Sequence, residues 1–146
     1  MEVLKAIGLV LISILGMEGF SWTVHKYLFH GPLWFIHKSH HETGHKHFEA
    51  NDLFSLFFGL AAIILIYFGS LKYDSRFWIG IGISLYGMIY FIFHDIFVHN
   101  RLKSFNSKNK LLLSIRRAHK MHHKSMVKLP SESYGLLFFP KKYRKQ

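Results

Sequence analysis

The chain has 146 residues, no cysteine, half its residues hydrophobic and a formal net charge of +11. The length fits one domain, residues 1–146, and the lack of cysteine excludes disulfides, thiolate metal sites and iron–sulfur clusters within the chain. The basic residues are concentrated beside apolar stretches, where anionic headgroups attract them, and no nucleic-acid motif is visible, so nucleic acid is not an expected partner.

In chain order, the first apolar stretch runs about Val3–Trp22. A helix needs about 20 apolar residues to cross a bilayer. One lysine before the run and no small-residue cleavage site argue for a span rather than a cleaved leader. Glu18 lies inside this span, where a carboxylate is costly and usually functional. It is seven residues before His25 and so on nearly the same face. A role behind the metal ligands and a structural hydrogen bond to another span are both open for it.

His25-x4-His30 follows, then Gly31-Pro32, which should stop or bend the helix, then His37-x2-His40-His41. His45 and His47 match no repeated pattern and read as loop residues. Asn51 or Asp52 is placed to cap the second span, Leu53–Leu71. A tight loop with Lys72 and Arg76 leads to the third, Phe77–Phe93. His94-x4-His99 closes that span, with Asp95 either behind a metal-bound imidazole or paired with a nearby cation. Leu111–Lys124 reads as an amphipathic helix with Leu112, Ile115, His119 and His122 along one stripe. Arg116, Arg117, Lys120 and Lys124 should then face headgroups or a partner, as should the Lys141–Lys145 tail. Of the aromatic residues near the histidine end, Trp22, Phe54, Phe57, Phe58, Tyr86, Tyr90 and Phe91, some could line a substrate channel, and most are expected in lipid or in helix packing.

Ten of the twelve histidines thus form one pattern written twice. His25 and His94, and His30 and His99, share an offset of 69 residues. Neutral imidazole is a common ligand for zinc, copper, iron and nickel. Ten are too many for one closed zinc site, which takes four, so two neighbouring metal ions are expected. On a helix, His37, His40 and His41 fall within roughly 100° of arc and should converge on one spot, as should His119, His122 and His123. The x4 pairs differ by roughly 140° on a regular helix, so each is expected at a helix end where the backbone leaves the regular path. Lone core histidines, a titrating surface cluster or a purification tag do not explain a doubled five-histidine pattern.

Thirteen Lys/Arg follow His99, and Lys26, Lys38 and Lys46 lie between spans one and two. The opposite side holds only Lys5, Lys72 and Arg76. Positive-inside orientation then puts the N-terminus outside and all four histidine motifs in the cytoplasm. The expected fold is all-α: an integral membrane helical bundle of about three transmembrane spans in the cell membrane, with a cytoplasmic histidine-rich helical cap.

This layout resembles the bacterial β-carotene hydroxylases of the fatty acid hydroxylase superfamily. The surrounding residues agree from about Met17 to Pro140: Met17-Glu18, Trp22, His25-Lys26-Tyr27, Phe29-His30-Gly31, Leu33-Trp34, Asn51-Asp52-Leu53, Tyr86-Gly87, His94-Asp95, Val98-His99-Asn100-Arg101 and Ala118-His119-Lys120. The resemblance implies a non-haem diiron mono-oxygenase with His25, His30, His37, His40, His41, His94, His99, His119, His122 and His123 as ligands. It would use O2 and two electrons from ferredoxin to hydroxylate carbon 3 of the β-ionone rings of β-carotene, a lipophilic carotenoid reaching the site from the lipid bilayer, through β-cryptoxanthin to zeaxanthin. Redox-inert zinc cannot supply such an oxidant, although it can replace iron in purified protein. A carotenoid ketolase or a lipid hydroxylase or desaturase shares the chemistry. A membrane metal transporter is the reading from another class, but it needs ligands near the bilayer midplane, whereas these sit at one face. A bis-histidine haem protein does not explain the triplets.

Overall fold

The computed structural model describes residues 2–42, 49–101, 107–124 and 132–144, which hold helices and connecting segments and no strand. His45 and His47 lie outside the described residues. Three helical runs are long and apolar enough to cross a membrane: Val3–Phe29, Asp52–Ser70 and Ser75–Val98. Two of them are longer than the sequence suggested. Helix α1 (Val3–Val24) continues through a π-helical stretch, His25–Phe29. Helix α4 (Ser75–Tyr90) continues through another, Phe91–Val98. Leu11, Leu15, Leu56 and Ile63 point outward, since a hydrocarbon surrounding is as apolar as they are.

Helix α4 packs against α1 and against α3 (Asp52–Ser70). Two glycines allow the close approach. A Cβ at Gly82 would fall 2.8 Å from Val10 O on α1, and one at Gly80 would fall 3.0 Å from Ala62 O on α3. Small residues at such contacts let membrane helices pack backbone to backbone. At the far end α4 starts on Asp74, whose carboxylate accepts from the Arg76 backbone N–H and pairs with its guanidinium.

The short helix α2 (Trp34–His41) and helix α5 (Lys110–His123) carry the histidine triplets. Asn109 caps α5 by accepting from the backbone N–H groups of Leu111 and Leu112. Ile115, His119 and His122 are buried along one stripe of α5, as the periodicity predicts. An apolar cluster of Phe97, Val98, Ile115, Ala118, Leu136 and Phe139 fastens α5 to the third span and to the C-terminal segment. Full burial of each large apolar side chain contributes about 1.5–3 kcal/mol.

The expected outward basic face is only half present. Arg116 Nη2 donates to Phe97 O at 2.7 Å and the guanidinium lies over the Phe97 ring. Arg117 Nη2 donates to Tyr143 O at 3.1 Å. Both arginines turn inward onto these carbonyls, where a charged donor makes a strong hydrogen bond; Lys120 and Lys124 stay exposed.

Candidate metal centre

The π-helical stretches account for the x4 spacing. His30 N–H donates to His25 O at 3.0 Å, and His99 N–H donates to His94 O at 2.9 Å. An i→i+5 bond closes a wider turn than the α-helix, so residues five apart come onto one side instead of diverging. The ring centroids are then 5.2 Å apart in the first pair and 4.6 Å in the second.

Nine of the ten patterned histidines form two groups in which the ligating nitrogens lie within 4.8 Å of one another. The first holds His25, His30, His37, His41 and His122; the second holds His40, His94, His99 and His119. Neither triplet converges on one spot. His37 and His41 stay with the first group while His40 crosses to the second, and His119 stays with the second while His122 crosses to the first. The i+3 member of each triplet is exchanged, which interlocks the two copies of the pattern. His123 lies between the groups, with ring centroids 4.4 Å from His41 and 4.5 Å from His119.

The orientation of four rings is fixed by what Nδ1 meets. His25 Nδ1 donates to Tyr134 O at 2.7 Å and His122 Nδ1 to Glu132 O at 2.9 Å. His37 Nδ1 donates to the Asn51 side-chain carbonyl at 2.8 Å and His40 Nδ1 to Glu49 Oε2 at 2.8 Å. All four partners are acceptors, so the proton sits on Nδ1 and Nε2 is left as a bare lone pair. His25 and His37 then face each other Nε2 to Nε2 at 3.0 Å. Two lone pairs at that separation repel unless a cation lies between or beside them, so the donor set fits a metal. The chemistry of the rings agrees. Burial, and then the neighbouring histidines, lower His122 to about 2. Burial lowers His37 to about 3, and burial with neighbouring histidines holds His40, His119 and His123 well below the usual imidazole range. Neutral imidazole is the ligating form.

The remaining sequence-predicted residues are placed as follows. Asp95 Oδ1 lies 3.5 Å from His94 Nδ1 and 3.3 Å from Arg101 Nε, so it stands beside a histidine and is paired with an arginine at once. Glu18 accepts from Tyr86 Oη and from the backbone N–H groups of Leu137 and Phe138; no histidine is among these partners. The capping reading of Asn51 and Asp52 fails: Asn51 is spent on His37, and Asp52 pairs with Arg101 Nη1 at 3.1 Å. Sequence reasoning missed Glu49, whose side chain is 4% exposed and is held by Arg101 Nη2 at 3.0 Å. It also missed the two carbonyls of the C-terminal segment. An acid, an amide and a second acid between a histidine triplet and the start of the next span, Glu49-Ala50-Asn51-Asp52, is the signal that was present.

A cavity of about 510 Å³ opens between the three spans. It runs from Ala62, Ile63 and Ile83 to Asn51 and Asp95, which touch one histidine group each. Phe54, Phe58, Tyr86, Tyr90 and Phe91 line it, five of the seven aromatics singled out in the sequence, and Phe91 is also exposed on the outer surface. Trp22 and Phe57 do not line it.

Fold and site together define a membrane helical bundle with a histidine-built metal centre candidate at one end. The chain belongs to the Fatty acid hydroxylase family, which it matches over residues 10–140. It is 38% identical to a β-carotene hydroxylase of Pantoea ananas over 90% of this chain and 76% of that protein. It is 35% identical to a β-carotene hydroxylase of Paracoccus sp. (strain PC1) over 90% of this chain and 83% of that one. It is 39% identical to the chloroplastic β-carotene 3-hydroxylase of Haematococcus lacustris over 84% of this chain and 40% of that one. No solved structure matches the chain. The protein is therefore a membrane-bound hydroxylase, an oxidoreductase of an iron-dependent family, with histidines that could hold metal.

Proposed function

We propose that the ten patterned histidines hold two iron ions, one per group with His123 between them, and that residues 1–146 act as a single membrane-embedded domain hydroxylating carbon 3 of the β-ionone rings of β-carotene to give zeaxanthin. Zinc can stand in for iron in purified protein. When bound, iron supplies the redox chemistry by which O2 and two electrons hydroxylate an unactivated ring carbon. The protein's own part is to orient, admit and exclude. Tyr134 O, Glu132 O, Asn51 and Glu49 hold four imidazoles with Nε2 inward. Asp95 keeps Arg101 against the second group. The cavity carries the reading: its apolar wall between the spans suits a lipophilic ring arriving from the bilayer and leads it to the residues that orient both groups while shedding water. The relatives' names supply the substrate.

Electrons would come from a ferredoxin-type donor meeting the exposed Lys120 and Lys124 face. The excess of Lys and Arg beside the histidine motifs argues that this end lies in the cytoplasm and the chain in the cell membrane. Pigment chromatography of β-carotene-producing bacteria expressing the chain tests the reading. Zeaxanthin with transient β-cryptoxanthin is expected. A 4-keto product would make the protein a ketolase, and unchanged β-carotene would remove the substrate assignment.

A further inference from the structure

Glu18 sits inside an apolar span and is 1% exposed. Tyr86 Oη donates to Oε2 at 2.8 Å, and the backbone N–H groups of Leu137 and Phe138 donate to Oε1 at 2.8 and 3.0 Å. Two of these three donors belong to the irregular C-terminal segment, whose buried N–H groups need acceptors because no helix or sheet provides them. The same segment presents Tyr134 O to His25 Nδ1 and Glu132 O to His122 Nδ1. Its Tyr134 ring lies against His25, His30 and His122, with centroids 5.3–5.5 Å away. Gly135 rests so closely on the carboxylate that a Cβ would fall 2.7 Å from Glu18 Oε1.

We infer that Glu18 is a positioning residue that pins the 132–139 strap to the first span, and that the strap's two carbonyls then set the tautomer and aim of His25 and His122. The inference rests on the metal reading above and assigns to the strap the support of the first histidine group. The second group is steadied from elsewhere, through Glu49 and Arg101. In this role the carboxylate serves as a hydrogen-bond acceptor and not as an acid. A glutamine can do the same: its carbonyl oxygen accepts both backbone N–H bonds, and its NH2 faces a tyrosine hydroxyl able to turn and accept. A leucine offers no acceptor at all.

The test is a zinc(II) titration of the metal-free, full-length protein in detergent micelles, reading stoichiometry and affinity. Wild type should bind two ions per chain. Glu18→Leu should lose about 10–100-fold in affinity at one site and keep the other, the size of loss usual for an outer partner of a metal ligand. Glu18→Gln should stay within a few-fold of wild type at both sites. Gly135→Ala, which attacks the same contact from the strap, should reproduce the one-site loss. Adding His40→Ala to Glu18→Leu should leave no tight site. Two wild-type sites in Glu18→Leu, equal weakening of both, or a glutamine defect as large as the leucine one would overturn the inference. If Glu18→Leu does not fold by circular dichroism and size exclusion, Gly135→Ala decides alone. A wild-type chain that takes up no zinc would refute the metal reading itself, which is a separate failure.

Discussion

His37 and His40 are three residues apart on α2 yet serve different groups, and the difference lies in what each Nδ1 meets. Asn51 takes the first and Glu49, braced by Arg101, takes the second. Glu49→Ala should therefore weaken metal binding at the His40 group by about 10–100-fold while sparing the His37 group, as read by metal titration. Equal weakening of both groups would show that Glu49 serves the fold rather than His40. The clustering of the histidines was legible in the sequence because their spacing repeats. Asn51 was not, for a physical reason: a short polar side chain before a helix can bond its own backbone as well as a ring fourteen residues away, and only the fold decides between them.

At the scale of elements, the x4 spacing revealed that the backbone must depart from an α-helix but not how. Gly31-Pro32 reads as a stop, whereas the departure lies before it, in the π-helical turn that ends at His30. The exchange of His40 and His122 between groups was equally hidden. A helical sector of roughly 100° holds all three members of a triplet, and which group each joins depends on how α2 and α5 face each other. Gly31 seals the first turn: a Cβ there would collide with the Tyr27 carbonyl oxygen. Gly31→Ala must shift backbone and displace His30, so it should cost at least about tenfold in metal affinity at the first group. Wild-type binding at both sites would mean the turn tolerates the methyl group and does not set the position of His30.

Over the whole molecule, the three spans and the clustering of the histidines at one end followed from hydropathy and repetition, while the inward turn of Arg116 and Arg117 did not, because charge alone does not say which carbonyls lie within reach. Buried, neutral imidazoles also set a pH response. His37 is lowered from 6.5 to about 3 and His122 from 6.5 to about 2. Between those values and 6.5 the opened chain binds protons that the folded one does not, so acid favours the opened, metal-free form, by about 1.4 kcal/mol per pH unit per histidine. Above about pH 6.5 this contribution is flat. Metal retained after dialysis should be constant above about pH 7 and fall as the pH drops from about 6.5 towards 3. Retention undiminished at about pH 3 would contradict the burial of these rings as neutral ligands.

We propose that each of the two interlocked histidine groups holds one metal ion. The most direct test is the iron content of the purified full-length protein after anaerobic reconstitution with a ferrous salt and removal of loosely held metal. Two irons per chain are expected, with His37→Ala and His40→Ala each losing tight binding at its own group. A single iron per chain in wild type, or two irons still tightly held in both variants, would contradict the proposal.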